Sequence, residues 1–264
     1  MEQDALTSRI PHIKQAILSA IEQQKIDLVY QGQYSLPSKQ LVGVEALCRI
    51  QPGHWGEVLP DQFIPVAENV GLIAPLERLV FAQLASDLPQ LIQRHPNIRI
   101  GVNLSIRHIT ALDFLAYIRN WLDALPQSTI ERLDFEITET YFQRISQTVI
   151  DGLQALRKRG VRIVMDDFGS GQSSLSRLHT LPFDVIKLDK QFAQQIEHPM
   201  VYAIVKAAVS FTQEFGLDLI AEGVETTEQC QALQDLDCHL VQGFFFSRPQ
   251  PLAHWLMSPS TAIS

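Results

Sequence analysis

Cysteine is scarce in this chain, and basic residues are outnumbered by acidic ones. The three cysteines, Cys48, Cys230 and Cys238, are odd in number and form no Cys-x-x-Cys pair. This pattern argues against a disulfide framework and a thiolate zinc site, and we interpret the cysteines as core residues. With 21 Lys and Arg against 29 Asp and Glu, the net charge is −8. No general basic surface is left for a nucleic-acid polymer, so a phosphate-bearing ligand would need a metal or a few placed cations.

Long hydrophobic runs are also absent. No segment approaches the roughly 20 apolar residues of a membrane span, and residues 1–15 lack the basic start and apolar run of a signal peptide. We therefore predict a cytoplasmic chain without a membrane span. Low-complexity tracts, long linkers and close repeats are missing as well, which predicts a single domain over residues 1–264.

What the sequence does contain is an alternation of short β-rich runs with segments of helical period. The eight runs cover residues 26–31, 41–50, 98–105, 133–138, 161–168, 184–189, 218–224 and 240–246. Helices are predicted at 75–88, 145–158, 202–215 and 227–236, and before Lys25. This order predicts an α/β fold, a (β/α)8 barrel of the TIM type.

The connection between the first two runs breaks the alternation. It is only GQYSLPSKQ, residues 32–40, with Pro37 and Ser38 as turn formers. Nine residues are too few for a helical crossover, so these two runs are predicted to pair antiparallel.

Every β run carries a polar residue in or near its C-terminal part, where barrel enzymes build their sites. Alone, each residue has an ordinary explanation, such as a strand-end carboxylate bound to a loop or a surface lysine. Their recurrence on all eight runs instead predicts one polar mouth. The residues are Gln31, Glu45, Asn103, Glu136, Asp166 with Asp167, Lys187, Glu222 and Gln242.

Five of these residues are carboxylates, and Asn103 adds a neutral oxygen. Carboxylates that converge on one mouth repel each other unless protons or cations neutralise them, and hard divalent cations suit oxygen ligands. We predict bound Mg²⁺ or Mn²⁺, with Glu45 as a ligand. The adjacent acids Asp166 and Asp167 suggest two ions, an arrangement suited to displacement at phosphorus. Lys187 could orient a water nucleophile or balance charge, and Arg49, on the same strand face as Glu45, could reach a substrate phosphate.

Other motifs give no consistent function. The tripeptide Asp167-Phe168-Gly169 resembles the kinase magnesium motif, but no HRD loop precedes it and no glycine-rich phosphate loop occurs near the start. The eight histidines form no HExxH or similar zinc spacing.

The chain resembles the EAL-domain family of cyclic di-GMP phosphodiesterases from about Ile26 to Pro251. The family's triplet stands at Glu45-Ala46-Leu47 within EALCR. Further similar segments follow in order: FIPVAENVGLI (63–73), VNLS (102–105), FEITET (135–140), MDDFGSGQSSLSRL (165–178), LPFDVIKLDKQF (181–192), IAEGVET (220–226) and VQGFFFSRPQP (241–251). The resemblance implies a modified TIM barrel with one antiparallel strand.

The resemblance also implies a role for each matching residue. It assigns Glu45, Asn103, Glu136 and Asp166 to one metal, and Asp166, Asp167 and Glu222 to a second. It makes Lys187 the contact of the nucleophilic water and Glu139 the residue that steadies the loop beginning at Asp167. The nucleotide site is then lined by Gln31, Leu47, Arg49 and Gln242, with Glu225 as a further acid nearby.

The implied reaction is hydrolysis of cyclic di-GMP to linear pGpG with two Mg²⁺ or Mn²⁺ ions. The alternative is a non-catalytic receptor for cyclic di-GMP or for a protein, although such family members typically lack some metal ligands and this chain lacks none. By resemblance, residues 169–181 would form a homodimer contact. No sensor domain is visible in the sequence, so an upstream sensor or partner stays unknown.

Overall fold

The strands form a closed barrel in the computed structural model, which describes residues 2–50, 58–111, 113–139, 146–170 and 182–257. The strands are β1 (Asp27–Ser35), β2 (Leu41–Arg49), β3 (Arg99–Asn103), β4 (Leu133–Thr138), β5 (Arg162–Phe168), β6 (Val185–Leu188), β7 (Asp218–Ala221), β8 (Leu240–Gln242) and β9 (Gln250–Pro251). The sheet order is β2-β3-β4-β5-β6-β7-β8-β1-β9, and a further pairing of β1 with β2 closes it.

The antiparallel strand lies where the short connection predicted it. β1 runs antiparallel to both of its barrel neighbours, β2 and β8, whereas β2 to β8 are parallel to one another. The short β9 pairs with Val29 and Tyr30 of β1, beyond the point where β8 ends. The predicted α/β fold, a TIM-type barrel with one antiparallel strand, is therefore confirmed.

Helices connect most of the parallel strands. They are α1 (Glu2–Glu22), α2 (Pro60–Asn69), α3 (Ile73–Arg94), α4 (Ile106–Ile109), α5 (Phe114–Asp123), α6 (Gln127–Ile130), α7 (Gln147–Lys158), α8 (Lys190–Gln194), α9 (Pro199–Phe215), α10 (Thr227–Asp235) and α11 (Leu252–Met257). In α10, which the sequence predicts at 227–236, Thr226 and Gln229 form a capping box. None of the described helices is both long and apolar enough to cross a membrane.

Element ends differ from the sequence prediction where tertiary contacts override local signals. α3 continues past Pro89 to Arg94 because Leu88 and Leu91 are buried on either side of the proline. β7 and β8 are shorter than the runs predicted at 218–224 and 240–246. β7 ends at Ala221 and β8 at Gln242, because Gly243 lies against the backbone of Val224 and the chain turns there.

The barrel interior beneath the mouth is apolar on one side. Side chains two residues apart on a strand point to the same face, so the residues two positions before Asp166, Lys187, Glu222 and Gln242 should lie directly below them. Three of these lower residues form a buried cluster of their own, with the fourth packed against it: Val164, Val185, Ile220 and Leu240. The larger hydrophobic core includes buried residues from the helices and the strands.

The other end of the barrel is closed by ion pairs. Asp134 accepts hydrogen bonds from Arg99 Nε at 2.6 Å and from Arg162 Nη2 at 2.7 Å. Arg162 Nη1 also donates to Asp218 Oδ2 at 2.6 Å. These residues lie at or near the starts of four strands, opposite the predicted mouth, and Arg157 forms a bidentate pair with Asp184 beside them.

Loss of the Asp134 carboxylate is expected to destabilise this end of the barrel. Asp134→Ala leaves Arg99 and Arg162, both only one-quarter exposed, without their shared acceptor. We expect the free energy of unfolding to fall by about 2–3 kcal/mol in urea denaturation. The matched control is Asp123→Ala, because the Asp123 carboxylate that pairs with Arg159 is 65% exposed whereas that of Asp134 is 4% exposed, and this loss should cost no more than about 0.5 kcal/mol. Equal decreases in the free energy of unfolding for the two variants would contradict a stabilising role of Asp134 at this end of the barrel.

Candidate active site

The polar residues predicted at the strand ends do meet at one mouth of the barrel. The register places Gln31 opposite Glu45 on β1 and β2, and Asn103 opposite Glu136 on β3 and β4. Asp166 lies near the end of β5, and Glu222 directly follows β7. All of these strands except β1 run towards this mouth, so their final inward-facing side chains converge there.

Lys187 is the centre of the cluster. Its Nζ lies 2.7 Å from Glu136 Oε2 and from Glu222 Oε1, 3.1 Å from Glu45 Oε2 and 3.3 Å from Asp166 Oδ1. The lysine side chain is only 1% exposed. A buried ammonium is costly unless it is paired, and here one cation is shared by four carboxylates.

The protonation equilibria reflect this crowding. Burial alone would lower the pKa of Lys187, but the charges of Asp166, Glu136, Glu222 and Glu45 outweigh it and raise that pKa well above its usual range. Burial raises the pKa of Glu222 to about 8. Burial, with the charge of Asp166, raises the pKa of Asp167 to about 6. The mouth therefore holds more carboxyl groups than its one lysine can neutralise, and protons or further cations must balance the rest.

Glu45 is the most firmly held carboxylate of the cluster. Asn103 Nδ2 donates to its Oε1 at 2.7 Å, and Gln242 Nε2 donates to its Oε2 at 2.6 Å. Burial alone would raise the pKa of Glu45, but Lys187 and these hydrogen bonds outweigh it and lower the pKa. Glu45 is therefore an ionised carboxylate with a fixed orientation.

Gln33 is a member of the site that the sequence analysis missed. Its Nε2 donates to Gln242 Oε1 at 3.0 Å, which fixes the amide orientation that Glu45 requires. The signal was its position two residues after Gln31, on the same face of a strand that extends to Ser35 rather than ending at residue 31.

A backbone irregularity brings Asp166 and Asp167 to the same site. Consecutive strand residues normally point to opposite faces, but the pairing of β5 with β6 shifts register between Met165 and Phe168. Asp167 adopts a left-handed conformation with φ of 56°. As a result, ligand atoms of Asp166, Asp167 and Glu222 all lie within 4.8 Å of one another.

The donor set of this trio fits a divalent cation. All of its ligand atoms are carboxylate oxygens, which suit Mg²⁺ or Mn²⁺. The buried Asp166 Oδ1 lies near Lys187 but has no well-formed hydrogen bond to a described residue. A buried carboxylate oxygen in this condition is the kind of ligand that a cation would satisfy.

The backbone after Asp167 is held from two sides. Gly169 N donates to Glu139 Oε2 at 2.8 Å, and Gln191 Nε2 donates to Gly169 O at 3.0 Å. Phe192 lies so close to Gly169 that an added Cβ would meet its ring at 2.5 Å. Gly169 also has φ of 89°, so a side chain is disfavoured there on both grounds. Glu139 and α8 together fix the segment that carries the adjacent acids.

A cavity of about 440 Å³ adjoins the carboxylates, within the range of small-ligand sites. Its lining includes Leu47, Asn103, Asp166 and Asp167, together with apolar residues of α2 and α3. The other four predicted nucleotide contacts are outside the described lining: Gln31, Arg49, Glu225 and Gln242. Arg49 Nη1 donates to Cys48 O at 2.9 Å, and Glu225 is exposed, with its backbone N bonded to Gln229.

The comparisons with known proteins give the family of this barrel with one reversed strand and a carboxylate-rich mouth. The EAL domain model matches residues 14–249, so the chain belongs to the EAL domain family. It is 36% identical over 92% of its length to the oxygen sensor protein DosP of Escherichia coli, of which it spans 31%. It is 32% identical over 91% of its length to the cyclic di-GMP phosphodiesterase RocR of Pseudomonas aeruginosa, of which it spans 61%.

A solved structure supports the same relationship. The phosphodiesterase PaMucR in complex with c-di-GMP superimposes with a TM-score of 0.83 at 32% identity, covering 92% of this chain and 99% of that one. The chain thus corresponds to nearly the whole of that solved domain and to under two thirds of the curated relatives described above.

Because the pKa of Glu222 is raised, the stability of the protein in metal-free buffer should depend on pH. A carboxyl group whose pKa is higher in the folded state stabilises the protein at pH values below its unfolded pKa. That contribution is lost as the pH rises to about 8, the pKa of folded Glu222. We expect the free energy of unfolding of the wild type, relative to that of Glu222→Gln, to fall between pH 5 and 8.5. Urea denaturation in EDTA measures this difference, and a constant value across the range would contradict the prediction.

Proposed function

We propose that this chain is a cyclic di-GMP phosphodiesterase that hydrolyses its substrate to linear pGpG. The observation that carries the proposal is the cluster of Glu45, Glu136, Asp166 and Glu222 around Lys187, beside a ligand-sized cavity. Membership in the EAL family and relatives named as cyclic di-GMP phosphodiesterases support the substrate assignment.

Two cations, Mg²⁺ or Mn²⁺, would be held by overlapping sets of residues. We assign Glu45, Asn103, Glu136 and Asp166 to one, and Asp166, Asp167 and Glu222 to the other. The second set has its ligand atoms within 4.8 Å, which supports this assignment. When bound, the cations would supply Lewis-acid polarisation of the phosphate and would lower the pKa of water.

The chain's own residues would orient the reaction. In the reaction, water adds across one P–O bond of the cyclic phosphodiester, leaving a phosphomonoester on one nucleoside and a free hydroxyl on the other. We assign Lys187 to orient the attacking water, since its Nζ donates into the centre of the carboxylate cluster. Glu222 would hold a cation beside that lysine, and Glu139 would keep the Asp167 segment in place through Gly169.

Substrate contacts are assigned to residues around the mouth. Leu47 lines the cavity, and Gln31 and Gln242 lie beside Glu45. Arg49 at the end of β2 would bind a phosphate, since a guanidinium suits that anion, and Glu225 would lie at the outer edge of the site.

Assembly and context stay predictions. We propose a homodimer, but residues 171–181 of the predicted contact segment lie outside the described part of the structure. The single domain over residues 1–264, the cytoplasmic location and the absence of a nucleic-acid polymer as a partner also remain proposals. Because the chain spans 31% of DosP, an additional sensor domain or partner is compatible with the comparison.

Removing the charge of Glu45 is expected to abolish turnover. Glu45→Gln keeps the side-chain shape but loses a carboxylate that would contact a cation, so product formation should fall at least about 100-fold. The assay incubates purified protein with cyclic di-GMP and Mg²⁺ or Mn²⁺ and separates pGpG by chromatography. The matched control is Glu214→Gln, at an exposed position of α9, which should behave as wild type. Wild-type protein that binds cyclic di-GMP but never cleaves it would instead establish a receptor.

Replacing the central lysine is expected to make stability depend on divalent cations. Lys187→Met leaves the buried carboxylates without their cation and should cost about 3–5 kcal/mol in EDTA. Mg²⁺ or Mn²⁺ should restore part of this loss, giving a larger increase in melting temperature than in wild type. Lys158→Met, at an exposed position of α7, is the control. Equal cation-induced shifts in all three proteins would count against the cation sites.

A further inference from the structure

A second buried acidic group lies behind the mouth, next to the segment that carries Asn103. β3 ends at Asn103, and Ser105, two residues later, is held by two helices. Its backbone N donates to Glu77 Oε1 of α3 at 2.5 Å, and its Oγ donates to Glu68 Oε1 of α2 at 2.6 Å. The chain leaving the metal-binding strand is therefore fixed by two carboxylates.

Glu77 is a buried residue that lines the cavity, and both of its carboxylate oxygens are engaged by protein groups. It is only 6% exposed, and its Oε2 lies 2.5 Å from Nδ1 of His108, which is fully buried. The imidazole packs edge-to-face on Phe114, with ring centroids 4.8 Å apart. Burial raises the pKa of Glu77, an effect that the bond from His108 opposes. A buried carboxylate is costly unless its oxygens are paired, and here Ser105 N and His108 Nδ1 pair one oxygen each.

The task suggested by the geometry is to set the position of Asn103. The Asn103 amide must keep its Nδ2 on Glu45 while leaving Oδ1 free to bind a ligand, and the bond to Glu45 is 2.7 Å long. Leu104 N donates to Glu136 O at 2.8 Å, so the backbone beyond Asn103 is tied to the strand that carries Glu136. The bond from Ser105 N to Glu77 holds the next peptide. If it is lost, the end of β3 is expected to relax, and Asn103 with it.

We propose that Glu77 and His108 are a positioning pair that sets Asn103 for divalent-cation binding. This inference rests on the proposed cation sites. Neither residue was among the functional residues predicted from the sequence. Both act through Ser105. Glu77 accepts the hydrogen bond from Ser105 N, and His108 fixes the orientation of the Glu77 carboxylate. The pair thereby connects the side of the barrel formed by α3 and α4 to the cation ligands.

Another buried acid on α3 provides a control for a purely structural role. Asp87 is 5% exposed and accepts a hydrogen bond from the Tyr30 hydroxyl at 2.7 Å, yet it does not contact the Asn103 segment in the described structure. Asp87→Leu and Glu77→Leu each remove one buried acceptor from the same helix. Both should lower the melting temperature, but only Glu77→Leu should change cation binding.

The test measures Mn²⁺ affinity directly, by calorimetry and by electron paramagnetic resonance of free Mn²⁺, at temperatures well below each variant's melting transition. We expect Glu77→Leu to weaken Mn²⁺ binding about 10-fold to 100-fold, as losses of groups that orient metal ligands do. Glu77→Gln should stay within about 3-fold of wild type, because its amide oxygen can still accept from Ser105 N. Asp87→Leu should retain wild-type affinity.

A second variant guards against failure of Glu77→Leu to fold. His108→Leu leaves Glu77 in place but removes the group that orients it, and it should weaken Mn²⁺ binding in the same direction. Unchanged affinity in whichever of these two variants folds would overturn the proposal, as would an equal loss in Asp87→Leu.

The outcome is separable from the proposed reaction. If wild type binds Mn²⁺ but does not cleave cyclic di-GMP, the proposed function fails, while the affinities still decide the role of Glu77. If wild type binds no Mn²⁺, both the cation sites and the positioning pair are overturned.

Discussion

The barrel mouth depends on one ammonium group shared by four carboxylates. Lys187 lies at the point where β2, β4, β5 and the end of β7 converge, and its Nζ is within 3.3 Å of an acid from each. In a dry interior these acids would otherwise repel one another by far more than the net stability of a domain allows. The lysine makes the site compatible with a folded barrel, yet it neutralises only part of the charge. This partial neutralisation explains why the site is both stable and electrostatically suited to additional cations.

Much of this arrangement was readable from the sequence because barrel geometry follows simple rules. The nine residues between the first two runs were too few for a crossover, and the reversed strand followed from that. A polar residue near the end of each run indicated a common mouth, and the structure brings Glu45, Glu136, Asp166 and Glu222 together around Lys187. Length and alternation were sufficient for these features, because strand direction and side-chain period are nearly fixed by covalent geometry.

Features that depend on non-local contacts were not readable. No local signal reveals the register shift in β5 that turns Asp167 towards Asp166, because a left-handed aspartate has no unique sequence pattern. Gln33 was missed because the predicted end of β1 was four residues too early. Glu77 and His108 are 31 positions apart, and on the sequence each resembles an ordinary polar residue at the surface of a helix. Their pairing exists only because α3 and α4 pack together.

The two ends of the barrel are built on different electrostatic principles. At the base, Asp134 is matched by Arg99 and Arg162, so its charges are balanced within the protein. At the mouth the acids outnumber their single cation, and the balance must come from solution or from protons. With the proposed cations bound, a chelator would change the charge balance at the mouth and hardly affect the base. The local stability of the half that carries Arg99 and Arg162 would be independent of divalent cations. The local stability of the half that carries Lys187 would change with their concentration.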